Sequence, residues 1–169
     1  SIRAKGTIVG GLADFGEYIP VEGPVNEYDA GDILVASQTI REGAKKSTQT
    51  AQSSILGIVT KTAAFIAGGS DESITYDKNG NPTNRTIIAL AGRVPVKISS
   101  SSPAIQPGDF ITSSDEIGKG TKAIYTGYAV GKALESWDPS NPKESIMVFV
   151  DPGYYIVGDI SADIDTKIN

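Results

Sequence analysis

Length, composition and charge exclude several classes of protein. The chain has 169 residues, carries a formal net charge of -5 and contains neither cysteine nor histidine. It therefore cannot form disulfides, thiolate zinc sites, a Ser-His-Asp triad or an imidazole base. An acidic chain repels phosphate backbones, so we expect no nucleic-acid partner. No run of 18 apolar residues is present, so we expect no membrane insertion, and the lack of a cofactor fingerprint predicts no cofactor.

Short strands separated by turns are the dominant pattern along the chain. The 19 glycines and 9 prolines separate runs rich in Ile, Val, Thr, Tyr and Phe, which is typical of an all-β fold. The polar stretch 43–54 fits a short helix or a loop. In chain order, strands are predicted at 2–9, 33–37, 55–60, 86–91, 94–98, 110–113, 125–133 and 145–150.

An internal repeat is the most informative feature. The segment Asp29-Ala-Gly-Asp-Ile-Leu-Val-Ala-Ser37 corresponds to Gln106-Pro-Gly-Asp-Phe-Ile-Thr-Ser-Ser114, and the run around Gly57 corresponds to the run around Gly131. In each copy we expect glycine to permit a tight turn and aspartate to bind backbone N–H groups before a strand begins. Two such units, at about 29–98 and 106–151, predict one pseudo-two-fold β-barrel or β-clip-like domain with long loops over residues 1–158.

The C-terminal residues 159–169 have a different pattern. Ile160, Ile164 and Ile168 lie four positions apart, as on one face of a helix. This spacing is compatible with a short C-terminal helix that begins a helical extension, and an extended tail fits the residues equally well.

The segment Gly10-Gly-Leu-Ala-Asp-Phe-Gly-Glu-Tyr18 contains the candidate catalytic residues. Asp14 and Glu17 are three positions apart in a glycine-rich, aromatic setting. Such a carboxylate pair can have separated pKa values and act as an acid and a base. Alternatively, Asp14 caps a turn while Glu17 meets solvent or Arg3, and the residues alone leave both interpretations open.

Three further polar or aromatic features have structural interpretations. Asp77-Lys-Asn-Gly-Asn81 loosely resembles a calcium loop, but its glycine is one position early and no suitable glutamate follows, so we predict a hairpin turn and no metal. The serine run 99–102 predicts a flexible connector between the repeats. Trp137, in a proline-rich loop, is either an interface contact or a cover for one end of the barrel.

The segment 11–18 resembles the Gly-Ala-Asp-Phe-Ala-Glu-Tyr motif of the G2 peptidase family, differing at Leu12 and Gly16. That family is the autoproteolytic region beside the C-terminal intramolecular chaperone of phage tail spikes and neck appendages. The resemblance extends over about residues 10–151. Other stretches resemble β modules of bacterial surface and tail-fibre proteins, namely 54–59, 89–97, 105–114, 127–131 and 146–150.

The resemblance implies a β-rich domain near the end of a trimeric fibre, followed by a helical chaperone that autocleaving members remove. Asp14 and Glu17 would then be the cleavage residues. The expected function is a structural and interaction module of a phage tail fibre or spike, or of a bacterial surface fibre. It would assemble as a homotrimer on the virion or cell surface and could contact a host receptor or glycan. The alternatives are an autoproteolytic domain that releases a chaperone and a carbohydrate- or ligand-binding surface module.

Overall fold

The computed structural model describes residues 14–68 and 73–158, and within these ranges the chain is all-β. The only helical segment there is a three-residue 3-10 turn, Val25–Glu27, and none of the described helices could cross a bilayer. The predicted strand 2–9 and the C-terminal residues 159–169 lie outside the described residues. The strands are β1 Asp14–Pro20, β2 Ile33–Ala36, β3 Ala44–Lys46, β4 Ile55–Val59, β5 Phe65–Ala67, β6 Arg85–Lys97, β7 Phe110–Ser113, β8 Gly120–Lys122, β9 Gly127–Ala133 and β10 Ser145–Tyr155.

The structure differs from the predicted strands in three respects. The predicted strands 86–91 and 94–98 form one strand, β6, because Gly92 pairs with both Asp14 of β1 and Val150 of β10 and so continues the ladder. The stretch 43–54 contains β3 and no helix. Three strands that the residue pattern does not predict, β1, β5 and β8, are glycine-containing or only three residues long, and pairing with neighbouring strands stabilises them.

The internal repeat is visible in the order of the strands. The sheet runs β3-β2-β4-β6-β10-β9-β7-β8, so its second half mirrors its first. In addition, β1 pairs with the first part of β6, and β10 pairs with the last part of β6 in the same way. Strand β6 is therefore common to both halves. Four residue pairs of the first half have equivalents in the second. Leu34–Lys46 corresponds to Ile111–Lys122, and Ile33–Ile58 corresponds to Phe110–Lys132. Ile58–Ala89 corresponds to Lys132–Phe149, and Val59–Ile88 corresponds to Ala133–Val148.

Each half curls until its first strand meets its third. A parallel bridge joins Val21, just after β1, to Ala44 in β3, and the equivalent bridge joins Ile98, just after β6, to Gly120 in β8. Strand curling of this kind hides the edges that a flat sheet would leave open. The structure therefore confirms the predicted fold class, an all-β, pseudo-two-fold, barrel-like domain.

The apolar core has two clusters, and the larger one contains residues of both halves. The larger cluster contains Trp137, which is 2% exposed and donates its indole N–H to the carbonyl of Lys143 at 2.8 Å. This burial favours the interpretation that Trp137 covers the barrel. The residues of the smaller cluster, which lies in the first half, are Ile19, Val21, Tyr28, Leu34, Ala44, Val59 and Ile88.

The two Gly-Asp turns form as the residues predict. Asp32 Oδ2 accepts a hydrogen bond from the backbone N–H of Asp29 at 2.9 Å, and Asp109 Oδ2 accepts one from Gln106 at 2.8 Å. Each aspartate thus closes a local turn directly before a strand. The carboxylates also bind lysines from other strands, as described below.

The serine run 99–102 is not the flexible connector that its composition predicts. Ser99 and Ser102 are 0% and 3% exposed. Glu116 binds the run from the β7–β8 turn, accepting hydrogen bonds from Ser99 Oγ and from the Ser100 N–H and Oγ, each at 2.8 Å. A tertiary contact therefore fixes the conformation of a segment whose sequence alone suggests flexibility.

Candidate functional site

Asp14, the first of the two candidate catalytic residues, begins β1 and is buried. It pairs with Gly92 of β6, and its main-chain oxygen accepts a hydrogen bond from Ala64 N at 3.0 Å. Its side chain is 2% exposed, and Oδ2 has no hydrogen-bond partner among the described residues. Burial of an unpaired carboxylate oxygen is costly, so this position is chemically unusual.

Glu17, the second candidate, lies further along the same strand. It pairs with Ile88 on one side and Ala67 on the other, and it is half-buried. The pairing of β1 with β6 shifts register between Phe15 and Gly16, which lie between the two carboxylates in sequence. Tyr18, at the end of the motif, lines a surface hollow of about 570 Å³. A role for the two carboxylates in cleavage stays a prediction.

Gly16 is one of the two positions at which the segment differs from the G2 peptidase motif, and the structure gives a reason for the glycine. A Cβ at this position would lie 2.9 Å from both Ile87 Cγ2 and the Ile88 carbonyl oxygen. Real Cβ atoms rarely tolerate contacts this short with backbone. The alanine of the family motif would therefore require β1 to move away from β6 here.

The turn at Asp77 is a hairpin, as predicted. Tyr76 and Pro82 form an antiparallel bridge across it. Asp77 Oδ1 accepts hydrogen bonds from the N–H groups of Asn79 at 2.8 Å and Asn81 at 2.9 Å, and these contacts, led by Asn81, lower the pKa of Asp77. Its carboxylate is thus occupied by its own turn. In the part of the chain that the structure describes, no cluster of three metal-ligating side chains occurs.

The charged clusters at the two Gly-Asp turns are structural. Asp32, 2% exposed, binds Lys97 Nζ at 2.7 Å and Lys46 Nζ at 3.2 Å, which ties β6 and β3 to the first Gly-Asp turn. In the second half, Asp109 binds Lys122 Nζ at 2.7 Å. Burial raises the pKa of Asp109, but the Lys122 and backbone hydrogen bonds outweigh it and hold that pKa below its usual value. These ion pairs are satisfied and offer no free group for chemistry.

An apolar surface, here called the β5 edge, lies beside the motif segment. It consists of the exposed side chains of Phe15 in β1 and of Phe65 and Ile66 in β5, with exposed fractions of 60%, 59% and 37%. The rings of Phe15 and Phe65 lie 6.2 Å apart. Within the described residues β5 pairs only with β1, so its outer backbone groups are open.

A second surface, here called the tyrosine cleft, lies at the β8–β9 loop and has a volume of about 310 Å³. Tyr125 and Tyr128 line it and are 80% and 40% exposed. Sequence reasoning missed this site because it assigned both tyrosines to one strand, whereas β9 begins only at Gly127. The available signal was two tyrosines flanking a glycine, where polar turn residues are usual.

Comparison with solved structures finds this fold in bacteriophage phi29 gene product 12. The pre-mature gene product 12 matches over 89% of this chain and 23% of its own, with a TM-score of 0.55 and 15% sequence identity. The C-terminal fragment of gene product 12 matches over 82% of this chain and 100% of its own, with a TM-score of 0.50 and 13% identity. No protein-family model matches the sequence, and no curated protein is significantly similar to it.

This chain therefore spans about a quarter of the length of the pre-mature protein and all of the solved C-terminal fragment. At such low identity the likeness establishes the fold alone, which is that of the gene product 12 C-terminal fragment. The finer resemblance to G2 peptidases stays a prediction.

Proposed function

We propose that this chain is a structural module of a bacteriophage tail appendage and that it assembles as a homotrimer on the virion. The observation that carries the proposal is the match of the barrel-like fold to the complete C-terminal fragment of gene product 12. The two halves share β6 and pack together through one large core cluster, which suits a structural role.

The β5 edge is the surface that we assign to self-assembly. An open strand edge that carries exposed aromatic rings is a template for pairing with another chain. Phe15, Phe65 and Ile66 bring no charge, so copies of a chain with net charge -5 can meet there with little like-charge repulsion. The occupant we propose is therefore a second copy of this chain.

Light scattering over a range of concentrations tests this proposal. We expect a mass three times the 17.6 kDa of one chain, and we expect Phe65→Ser to shift the population towards monomer because it removes an exposed ring from the contact. Tyr76→Ser is the matched control, since Tyr76 is 51% exposed and lies outside the β5 edge. A monomer at every concentration, or equal masses for the two variants, would contradict the proposal. Circular dichroism verifies that each variant is folded.

A self-cleaving domain is the second candidate function, and buried Asp14 favours it. Its Oδ2, which has no hydrogen-bond partner within residues 14–68 and 73–158, belongs to the kind of desolvated carboxylate that proteins use for proton transfer. In a chain extended at both ends, we expect spontaneous cleavage to be detectable by mass spectrometry and to be lost in Asp14→Asn. Glu27→Gln, a change at an exposed surface carboxylate, serves as the control. An extended chain that stays intact would rule out this function without affecting the assembly proposal.

A further inference from the structure

The tyrosine cleft is built from both halves of the molecule, and hydrogen bonds hold part of each wall. One wall is the β3–β4 loop, in which Ala51 N donates to Ser113 O at 3.0 Å and Gln52 N donates to Ser113 Oγ at 2.9 Å. The other wall holds Tyr128, whose carbonyl accepts a hydrogen bond from Thr112 Oγ1 at 2.7 Å. The ring of Tyr154 lies edge-on, 5.4 Å from that of Tyr128. A cleft held in this way is preformed, so a ligand would not have to order it.

The chemistry of the lining is aromatic and hydroxyl-rich, with little positive charge. Tyr125 and Tyr128 contribute ring surfaces, while Thr50, Ser101 and Thr121 contribute hydroxyl groups. The lysine of the lining, Lys122, is neutralised by its ion pair with Asp109. Among the described lining residues, the remaining charge is the exposed carboxylate of Asp115. Such a cleft repels anions and can exchange hydrogen bonds with a neutral polar ligand.

The pseudo-two-fold repeat shows that the fold does not need these tyrosines. Because β3 aligns with β8 and β4 with β9, the first-half residue that corresponds to Tyr125 is Gln49, and the one that corresponds to Tyr128 is Ser54. The first half thus has the same arrangement of strands without aromatic residues at these two positions. Tyr128 is 40% exposed and packs against Tyr154, but Tyr125 is 80% exposed and adds no core burial, so its ring calls for another explanation.

We propose that the tyrosine cleft is a binding site for a neutral carbohydrate. A pyranose ring has an apolar C–H face that can lie on Tyr125 or Tyr128, and its edge hydroxyls match the threonine and serine hydroxyls of the lining. The volume of about 310 Å³ is at the small end of the range for small-molecule sites, which suits one or two sugar rings. The Asp115 carboxylate disfavours phosphorylated and acidic sugars. This inference goes beyond the structural role and does not depend on the oligomeric state.

Saturation-transfer NMR with the intact chain tests the proposal. The probes are the methyl glycosides of glucose, galactose, mannose and N-acetylglucosamine, with choline and glucose 6-phosphate as charged comparators. We expect at least one neutral glycoside to bind, and we expect Tyr125→Ser to weaken that binding about tenfold through loss of ring stacking. Tyr125 is 80% exposed, so its replacement removes no core packing. Tyr76→Ser, the same change at a tyrosine outside the cleft, should leave the dissociation constant within about twofold.

Several results would overturn the assignment. These are a failure of all four glycosides to bind, equal binding by Tyr125→Ser and the unchanged protein, and preferential binding of choline or glucose 6-phosphate. A fourth is a loss of oligomer mass on Tyr125→Ser, which would make the cleft a contact between copies of the chain. Because the mass of each variant is measured separately, failure here is distinguishable from failure of the assembly proposal.

Discussion

Glu22 and Ser99 occupy equivalent positions in the two halves, one residue after the bridges that close them. In the first half Glu22 Oε1 accepts a hydrogen bond from Thr39 Oγ1 at 2.9 Å. In the second half the roles are exchanged, since Ser99 Oγ donates to Glu116 Oε1 at 2.8 Å, and Glu116 is the equivalent of Thr39. Each half therefore retains a hydroxyl–carboxylate contact that joins the end of its first strand to its hairpin loop.

At this residue scale the Glu116 contact has a measurable pH dependence. The hydrogen bond from Lys119, followed by those from Ser99 and Ser100, lowers the pKa of Glu116 to about 2 from its usual 4.5. A folded-state pKa below the unfolded value stabilises the protein above about pH 4.5, and this stabilisation is lost as the pH falls towards about 2. We expect Glu116→Gln to lower the free energy of unfolding at pH 7 by about 1 kcal/mol, because solvent screens part of the interaction between Glu116 and Lys119.

Thermal unfolding measured from pH 7 to pH 2 checks this expectation. The melting temperature of the unchanged protein should fall more steeply below pH 4.5 than that of Glu116→Gln. Glu144→Gln, at an exposed carboxylate, should follow the unchanged protein. Parallel curves for all three proteins would show that Glu116 does not stabilise the fold through its charge.

At the scale of elements, one glycine per half allows two strands to approach closely. Gly57 in β4 faces the carbonyl oxygen of Ala89 in β6, and the equivalent Gly131 in β9 faces that of Phe149 in β10. A Cβ at position 57 would also meet Ile88 Cγ1 at 2.9 Å. In both cases a methyl group would collide with backbone that belongs to the ladder. The repeated glycine in the sequence is thus explained by strand packing.

We therefore expect Gly57→Ala and Gly131→Ala each to lower the free energy of unfolding by about 1–3 kcal/mol, because the strands must separate to admit the methyl group. Chemical denaturation measures the change. Gly127→Ala is the matched control, since a Cβ there would have no neighbour within 4 Å. If either buried variant were as stable as the control, the close approach of the strands would not be a constraint.

At the scale of the whole molecule, the same arrangement of strands occurs twice, and each half carries a different surface. The halves share β6, and the larger core cluster contains residues of both, such as Ile33 and Ile111, so the two halves pack together through a common core. The β5 edge belongs to the first half, and Tyr125 and Tyr128 of the tyrosine cleft belong to the second. This division fits a module that binds copies of itself through one half and a ligand largely through the other.

The sequence by itself determined the all-β class, the repeat and the two Gly-Asp turns, because turn chemistry and β-branched runs act over a few residues. Only the tertiary structure decided that β6 is one strand and that Ser99 is buried, since both depend on partners distant in sequence. The same holds for the functional surfaces. Asp14 and Glu17 were nominated from a local motif, but the burial of Asp14 depends on tertiary packing around β1 and β6. The tyrosine cleft joins residue 50 to residue 125, and only packing brings these loops together.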